Sequence, residues 1–143
     1  MRFENEKDIK RESEAIDKLI CYKSEHNLSY KKLGDNDVDF LLFKDNKQIA
    51  VVEVKGRNKN IDDAFPLPIA LRKVAKIQDH FHTGIIIWSC YDGIIYGFIR
   101  MLQGEIKYGG RSPRLGSTND QEIMIYYQKQ DNLTTIKNKE DGR

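Results

Sequence analysis

The sequence predicts an α/β domain in which a mixed β-sheet is flanked by helices, and three observations support this class. The chain has 143 residues, the length of one compact domain with its own core. Patterns typical of helices and strands follow one another in the order helix, strand, strand, helix, strand, strand. The strand patterns come in two pairs, each separated by a short turn signal. We therefore expect a single domain over residues 1–136 and a flexible charged tail over residues 137–143.

The first half of this order begins with a helix over residues 5–25, where Ile16, Leu19 and Ile20 form an apolar stripe at helical spacing. Polar residues 34–36 then connect the helix to a pair of strands. Alternating and β-branched residues place these strands near 38–44 and 48–55.

The second half begins with a helix predicted from Pro68 to Phe81, because proline suits the first helical turn. Strands near 85–90 and 94–102 follow, and residues 123–127 are a further candidate element. The stretch from Gly104 to Asp120 is rich in glycine and predicts a surface loop.

Charge and apolar patterning indicate which partners and which location to expect for this protein. The 24 Lys plus Arg and 22 Asp plus Glu give a net charge of +2, so a nucleic-acid partner would have to meet a local basic patch. The charged N-terminal segment lacks an apolar signal core, and the apolar run 84–102 is broken by a turn signal at Tyr91-Asp92-Gly93. We expect an intracellular, cytoplasmic protein that does not enter a membrane.

The first strand pair places acidic residues where a sheet normally packs. With a three-residue loop at 45–47, Asp39 faces Glu53 and Asp37 faces Lys55, all on one face of the hairpin. Two carboxylates ~5 Å apart repel by roughly 3 kcal/mol at an effective dielectric of ~20. A divalent cation offsets this cost, and hard oxygen ligands suit Mg²⁺, with Mn²⁺ as a substitute. The hairpin therefore predicts a metal site.

The first helix supplies a further acidic candidate. Glu12 lies near the centre of the buried stripe, where a glutamate is costly unless it meets a cation or a donor. We expect Glu12 either over the same end of the sheet or on the helix surface.

The segments VDFLLF and AVVEVKGR resemble the half-motifs of the PD-(D/E)XK nuclease superfamily, in particular small phage-type and junction-resolvase-like members. Val38 stands where the motif has proline. The resemblance implies a restriction-endonuclease-like core of αβββαβ type and a Mg²⁺-dependent DNA nuclease in a phage or bacterial host cell, in recombination or repair. It also implies metal ligation by Asp39, Glu53 and the Val54 carbonyl. Lys55 would assist the attacking water, and Glu12 would hold a second ion or a water.

The remaining candidates are basic or accessory residues. Nucleic-acid contacts are expected from residues in the loop after the second strand, on the second helix and in the glycine-rich loop: Arg57, Lys59, Arg72, Lys76, Arg111 and Arg114. Asp37 and Gln78 are possible accessory residues, although loop capping and a satisfied core amide are the simpler interpretations. A second E-x-K copy at 105–107 is interpreted as part of the surface loop.

Two other functions compete with the nuclease. One is a non-cleaving nucleic-acid-binding domain of the same fold, and the other is an assembly or regulatory module that uses the hairpin 85–102 as a surface. A homodimer is possible in each case.

Overall fold

The computed structural model describes residues 6–23, 27–33, 38–78, 83–110 and 121–138. Within these ranges the chain forms two helices, α1 (Glu6–Tyr22) and α2 (Leu71–Gln78), and 3₁₀ turns at Ile61–Asp63 and Ile99–Met101. The strands of the same ranges are β1 (Leu28–Lys32), β2 (Phe40–Lys44), β3 (Lys47–Gly56), β4 (Leu67–Ala70), β5 (Thr83–Cys90), β6 (Gly93–Phe98), β7 (Glu105–Gly110), β8 (Gln121–Tyr127) and β9 (Thr134–Lys137).

The strands form two sheets. A six-stranded sheet has the order β1-β2-β3-β5-β6-β9, and a three-stranded sheet has the order β4-β8-β7. Strands β3 and β5 pair in parallel, whereas the other pairs of the larger sheet are antiparallel. The predicted α/β class with a mixed sheet flanked by helices is confirmed, and the αβββαβ order is present with β4 added before α2.

Each face of the large sheet buries its own apolar cluster. On one face, α1 packs Ala15, Ile16 and Leu19 against residues of the central strands such as Val52. The other face is covered by α2 and the small sheet, whose buried residues pack around Trp88 and its neighbours. Full burial of a large apolar side chain contributes about 1.5–3 kcal/mol, so these two clusters fix both helices on the sheet.

The β2–β3 hairpin confirms the predicted register near the acidic residues and corrects the turn. Phe40 pairs with Val52 and Leu42 with Ala50, as predicted. The three-residue loop is wrong, because Asp45 and Asn46 form a two-residue turn with φ values of 51° and 66°. Asp and Asn tolerate this left-handed backbone, which matches the twist of a hairpin. A bulge next to Phe43 absorbs the extra residue.

Other elements also differ from the predictions, among them β9, which the sequence patterns did not indicate. The helix does not begin at Pro68, which pairs with Tyr126 in β4 at the edge of the small sheet. An edge strand accepts proline because one side of it needs no ladder hydrogen bond. The sequence patterns missed β1, and the predicted loop after Gly104 begins instead with β7.

The apolar run at 84–102 forms the hairpin β5–β6, as predicted. None of the helices in the described ranges has the length and apolar character that crossing a bilayer requires. At the other end, β9 ends at Lys137 and the Asn138 amide donates to the Asp92 carbonyl at 2.8 Å. The boundary at residue 136 stays a prediction.

Candidate active site

Asp39 and Glu53 lie side by side at one end of the β2–β3 hairpin. Glu53 is 5% exposed and Asp39 is 8% exposed, and within the described ranges they are the buried charged residues. Asp39 occupies the bend just before β2 and accepts a 2.7 Å hydrogen bond from the Val54 amide. This bond ties the Asp39 carboxylate to the strand that carries Glu53.

Burial and proximity make this acidic pair reluctant to ionise. Loss of water, together with the neighbouring Asp39 charge, raises the pKa of Glu53 to about 8, although Lys73 and Lys76 oppose the rise. Burial also raises the pKa of Asp39, against the lowering effect of its hydrogen bond from Val54. The protonated Glu53 carboxyl can donate to Asp39, so the pair holds a proton in the absence of another cation.

Two lysines provide partial neutralisation from different elements. Lys73 Nζ on α2 lies 3.6 Å from Glu53 Oε2. Lys32 Nζ on β1 lies 3.8 Å from Asp39 Oδ1 and 2.7 Å from Glu12 Oε1. Glu12 on α1 therefore reaches this end of the sheet, where Lys32 links it to Asp39. The predicted role of Glu12 in holding a second ion or a water stays a prediction.

The oxygen atoms of the pair fit a hard divalent cation. Glu53 Oε1 is buried and has no hydrogen-bond partner within the described part of the chain, which is costly for a polar atom. The described ranges contain no group of three acidic, histidine or cysteine side chains placed for a metal. Mg²⁺ commonly binds one or two protein carboxylates and completes its shell with waters and substrate phosphates, so Asp39 and Glu53 suffice for such a site.

Of the other residues predicted for this centre, the structure describes Lys55 and Val54 but not Asp37. Lys55 is exposed and follows Glu53 by two residues, so it lies on the same face of β3 at the open end of the site. Val54 contributes its amide to Asp39, and the role of its carbonyl as a ligand stays a prediction. Asp37 lies outside the described residues.

Four of the six predicted nucleic-acid contacts lie within the described residues. Lys76 is close enough to influence Glu53, and Lys59 is exposed in the loop after β3. Arg57 donates from Nε to the Ala64 carbonyl at 2.9 Å, and Arg72 donates from Nε to Glu122 at 2.9 Å, so both have partners within the protein.

Of the three remaining predicted residues, the structure describes Gln78 alone. Gln78 is exposed at the end of α2. Arg111 and Arg114 lie outside the described residues.

Sequence reasoning missed Lys32 and did not assign Lys73 to the site. Lys32 belongs to a short strand with weak alternation, and its position depends on pairing with Phe40. Lys73 belongs to the basic stretch of the second helix, LRKVAKIQ, where spacing alone does not show which lysine faces the sheet. The only useful signal was that the helix could border the cleft.

Comparison with protein families identifies the chain. A family described as "Phage putative PDDEXK endonuclease" matches residues 1–134. The chain belongs to this family. The comparisons with curated proteins and with solved structures found no match.

Membership in the phage PDDEXK endonuclease family confirms the predicted PD-(D/E)XK superfamily relationship. The match spans nearly the whole chain, and so includes both strands of the acidic hairpin as well as α1 and α2. A family of this description supports a nuclease, and the acidic pair is the candidate site for its chemistry.

Proposed function

We propose that this PDDEXK family member is a metal-dependent endonuclease that hydrolyses phosphodiester bonds of DNA at Asp39 and Glu53. The observation that carries the proposal is the buried pair of carboxyls, one with an oxygen that lacks a partner in the described chain. A buried acidic pair is destabilising without a cation. A divalent ion would compensate both charges and occupy the unused oxygen.

Mg²⁺ is the proposed cofactor, and Mn²⁺ is expected to substitute because it also prefers oxygen ligands. Asp39 and Glu53 would hold the ion, which when bound would neutralise charge on the scissile phosphate and polarise its phosphorus–oxygen bonds. The Val54 amide fixes Asp39 in position before any ligand binds. The protein thus supplies a preorganised oxygen pair, as efficient electrostatic catalysis requires.

Lys55 is the proposed partner of the attacking water. Lys55 is exposed and lies on the same face of β3 as Glu53, where its ammonium group could orient the water, accept its proton when neutral, or stabilise charge that develops on the phosphate. Glu12 and Lys32 form a 2.7 Å ion pair at the side of Asp39. We expect this ion pair to orient Lys32, which limits repulsion around Asp39 without filling the cation position.

Lys73 and Lys76 on α2 extend the positive charge next to Glu53. Once a cation satisfies Glu53, the Lys73 ammonium can contact a DNA phosphate next to the cleaved bond. The exposed Lys59 after β3 extends the same basic border.

The test compares cleavage of supercoiled, linear and branched DNA in Mg²⁺, Mn²⁺ or EDTA. Wild type should cut closed circular DNA in either metal and should be inactive in EDTA. Glu53→Gln and Lys55→Ala should each lose at least about 100-fold in rate, the scale of a lost charge-stabilising group. Lys44→Gln, an exposed lysine at the far end of β2, is the matched control and should cut normally.

The same assay separates the alternatives. A protein that binds DNA without cutting it under every metal would be the non-cleaving binding domain. Cleavage that survives both EDTA and Glu53→Gln would contradict the proposed metal centre.

A further inference from the structure

We propose that Arg11 is a phosphate-binding residue of the DNA cleft, and that Gly56 lacks a side chain in order to seat it. This inference rests on the proposed nuclease function. It concerns a residue outside the D…E-x-K motif, contributed by α1 and held against the end of the catalytic strand β3.

The guanidinium of Arg11 packs over Gly56. A Cβ atom built on Gly56 would lie 2.1 Å from Arg11 Nη1 and 3.3 Å from Cζ. The guanidinium therefore occupies the space that any other residue at this position would fill. Glycine at 56 leaves room for this arginine, whose flexible end would have to move to make room for a larger residue.

A second contact fixes the orientation of the guanidinium. Arg11 Nη2 donates a 3.0 Å hydrogen bond to Asn58 Oδ1, in the loop that follows β3. Asn58 thus uses one of the five N–H donors of the group. The planar fork can still bind two oxygens of one phosphate, a geometry that a lysine ammonium does not offer.

The contact between Arg11 and Gly56 lies at the end of the strand that carries Glu53. Gly56 directly follows Lys55 and lies three residues after Glu53 on the same strand. On α1, Arg11 directly precedes Glu12, whose carboxylate binds Lys32 next to Asp39. Arg11 thus lies at the same end of the sheet as the two carboxylates but on the face that α1 covers. A DNA backbone that crosses this end of the sheet is the partner proposed for its guanidinium.

A purely structural role is the competing interpretation, in which Arg11 only ties α1 to the loop after β3. The two roles differ in what salt does to DNA binding. A phosphate contact contributes a released counterion, and its loss lowers the salt slope of log K by about one. A structural tie changes protein stability and leaves the salt slope as it was.

The experiment measures DNA binding in a Glu53→Gln background, so that cleavage does not interfere. Arg11→Gln should weaken binding about 5- to 30-fold and lower the salt slope by about one. Gly56→Ala should produce the same loss, because its methyl group displaces the end of a flexible side chain without moving the backbone. The double variant should be no weaker than either single variant, since both remove one interaction.

Lys10→Gln is the matched control, because it removes one charge from the next position of α1, where the side chain is 78% exposed. It should change binding less than two-fold. Urea unfolding of each variant tests the structural role directly.

Each outcome decides the inference. The role of Arg11 in phosphate binding is overturned if Arg11→Gln and Lys10→Gln bind DNA equally well. It is also overturned if Arg11→Gln loses stability while the salt slope of DNA binding stays unchanged. If wild type still cuts DNA in Mg²⁺, the proposed nuclease survives that result. A wild type that neither binds nor cuts DNA overturns both.

Discussion

Lys73 Nζ lies 3.6 Å from Glu53 Oε2, so α2 supplies a counterion to a carboxylate that is carried by β3. Helix α2 owes its position to Val74 and Ile77, which are buried in the cluster that covers this face of the sheet. The helix thus both closes the core and sets the charge around the candidate metal site.

Removal of this counterion should strengthen cation binding. Lys73→Gln is expected to bind Mn²⁺ about three- to ten-fold more tightly, because the ammonium competes for Glu53 and a partly exposed ion pair contributes about 1 kcal/mol. Isothermal titration calorimetry measures the change. Lys44→Gln has the same change in net charge far from the site and should bind like wild type. Weaker Mn²⁺ binding by Lys73→Gln would show that Lys73 supports the cation and does not compete with it.

The metal-free protein should lose stability as pH rises from about 4.5 to about 8. Burial and the neighbouring Asp39 charge raise the pKa of Glu53 from 4.5 to about 8, so the folded state holds a proton that the unfolded state releases over this range. The free energy of unfolding then falls by at most about 1.4 kcal/mol per pH unit. Urea unfolding in EDTA at several pH values measures this slope.

Glu53→Gln should flatten that slope, because glutamine keeps the shape of the protonated acid and does not titrate. Asp39, Lys73 and Lys76 surround the same carboxyl and remain in the variant. A wild type and a Glu53→Gln variant with parallel pH profiles would contradict a buried, proton-holding Glu53.

Metal should stabilise the wild type more than an Asp39 variant. At a Mg²⁺ concentration 100 times the dissociation constant, binding to the folded state adds about 2.7 kcal/mol. Asp39→Asn keeps an oxygen that can accept the Val54 amide and removes only the charge. Its melting temperature should therefore rise less with Mg²⁺ than that of wild type. Equal shifts in differential scanning calorimetry would place the ion elsewhere.

A methyl group at Gly84 should loosen α2. A Cβ atom at this position would lie 2.2 Å from Ile77 Cγ2, so the helix or its side chain must move. Overpacking of this kind costs about 1–3 kcal/mol, which urea unfolding of Gly84→Ala measures. Ile77→Ala removes the opposing group, and the double variant should be more stable than the sum of the two single effects predicts. Strict additivity would argue against the clash.

The central hairpin could be predicted because its two strands are neighbours in the sequence and each shows a clear alternation of side chains. Alternation along VDFLLF and AVVEVKGR sets which residues share a face, and the observed pairing of Phe40 with Val52 brings Asp39 beside Glu53. The turn was harder, since the choice between two and three residues depends on whether Asp45 and Asn46 adopt positive φ.

The rest of the site depends on contacts between distant segments. Lys32 reaches Asp39 because β1 pairs with β2, and Lys73 reaches Glu53 because α2 packs on the sheet. Neither contact leaves a periodic signal in the sequence. The predicted helix start at Pro68 was wrong for another reason: proline suits both the first turn of a helix and an edge strand, and here it lies in β4.

Diffraction from crystals soaked in Mn²⁺, recorded at a wavelength where manganese scatters anomalously, tests the shared cation most directly. We expect one strong anomalous peak between Asp39 and Glu53, roughly 2 Å from an oxygen of each carboxylate, and no peak there in Glu53→Gln crystals soaked in parallel. A wild-type crystal in which manganese binds elsewhere, with the two carboxyls still sharing a proton, would contradict the account.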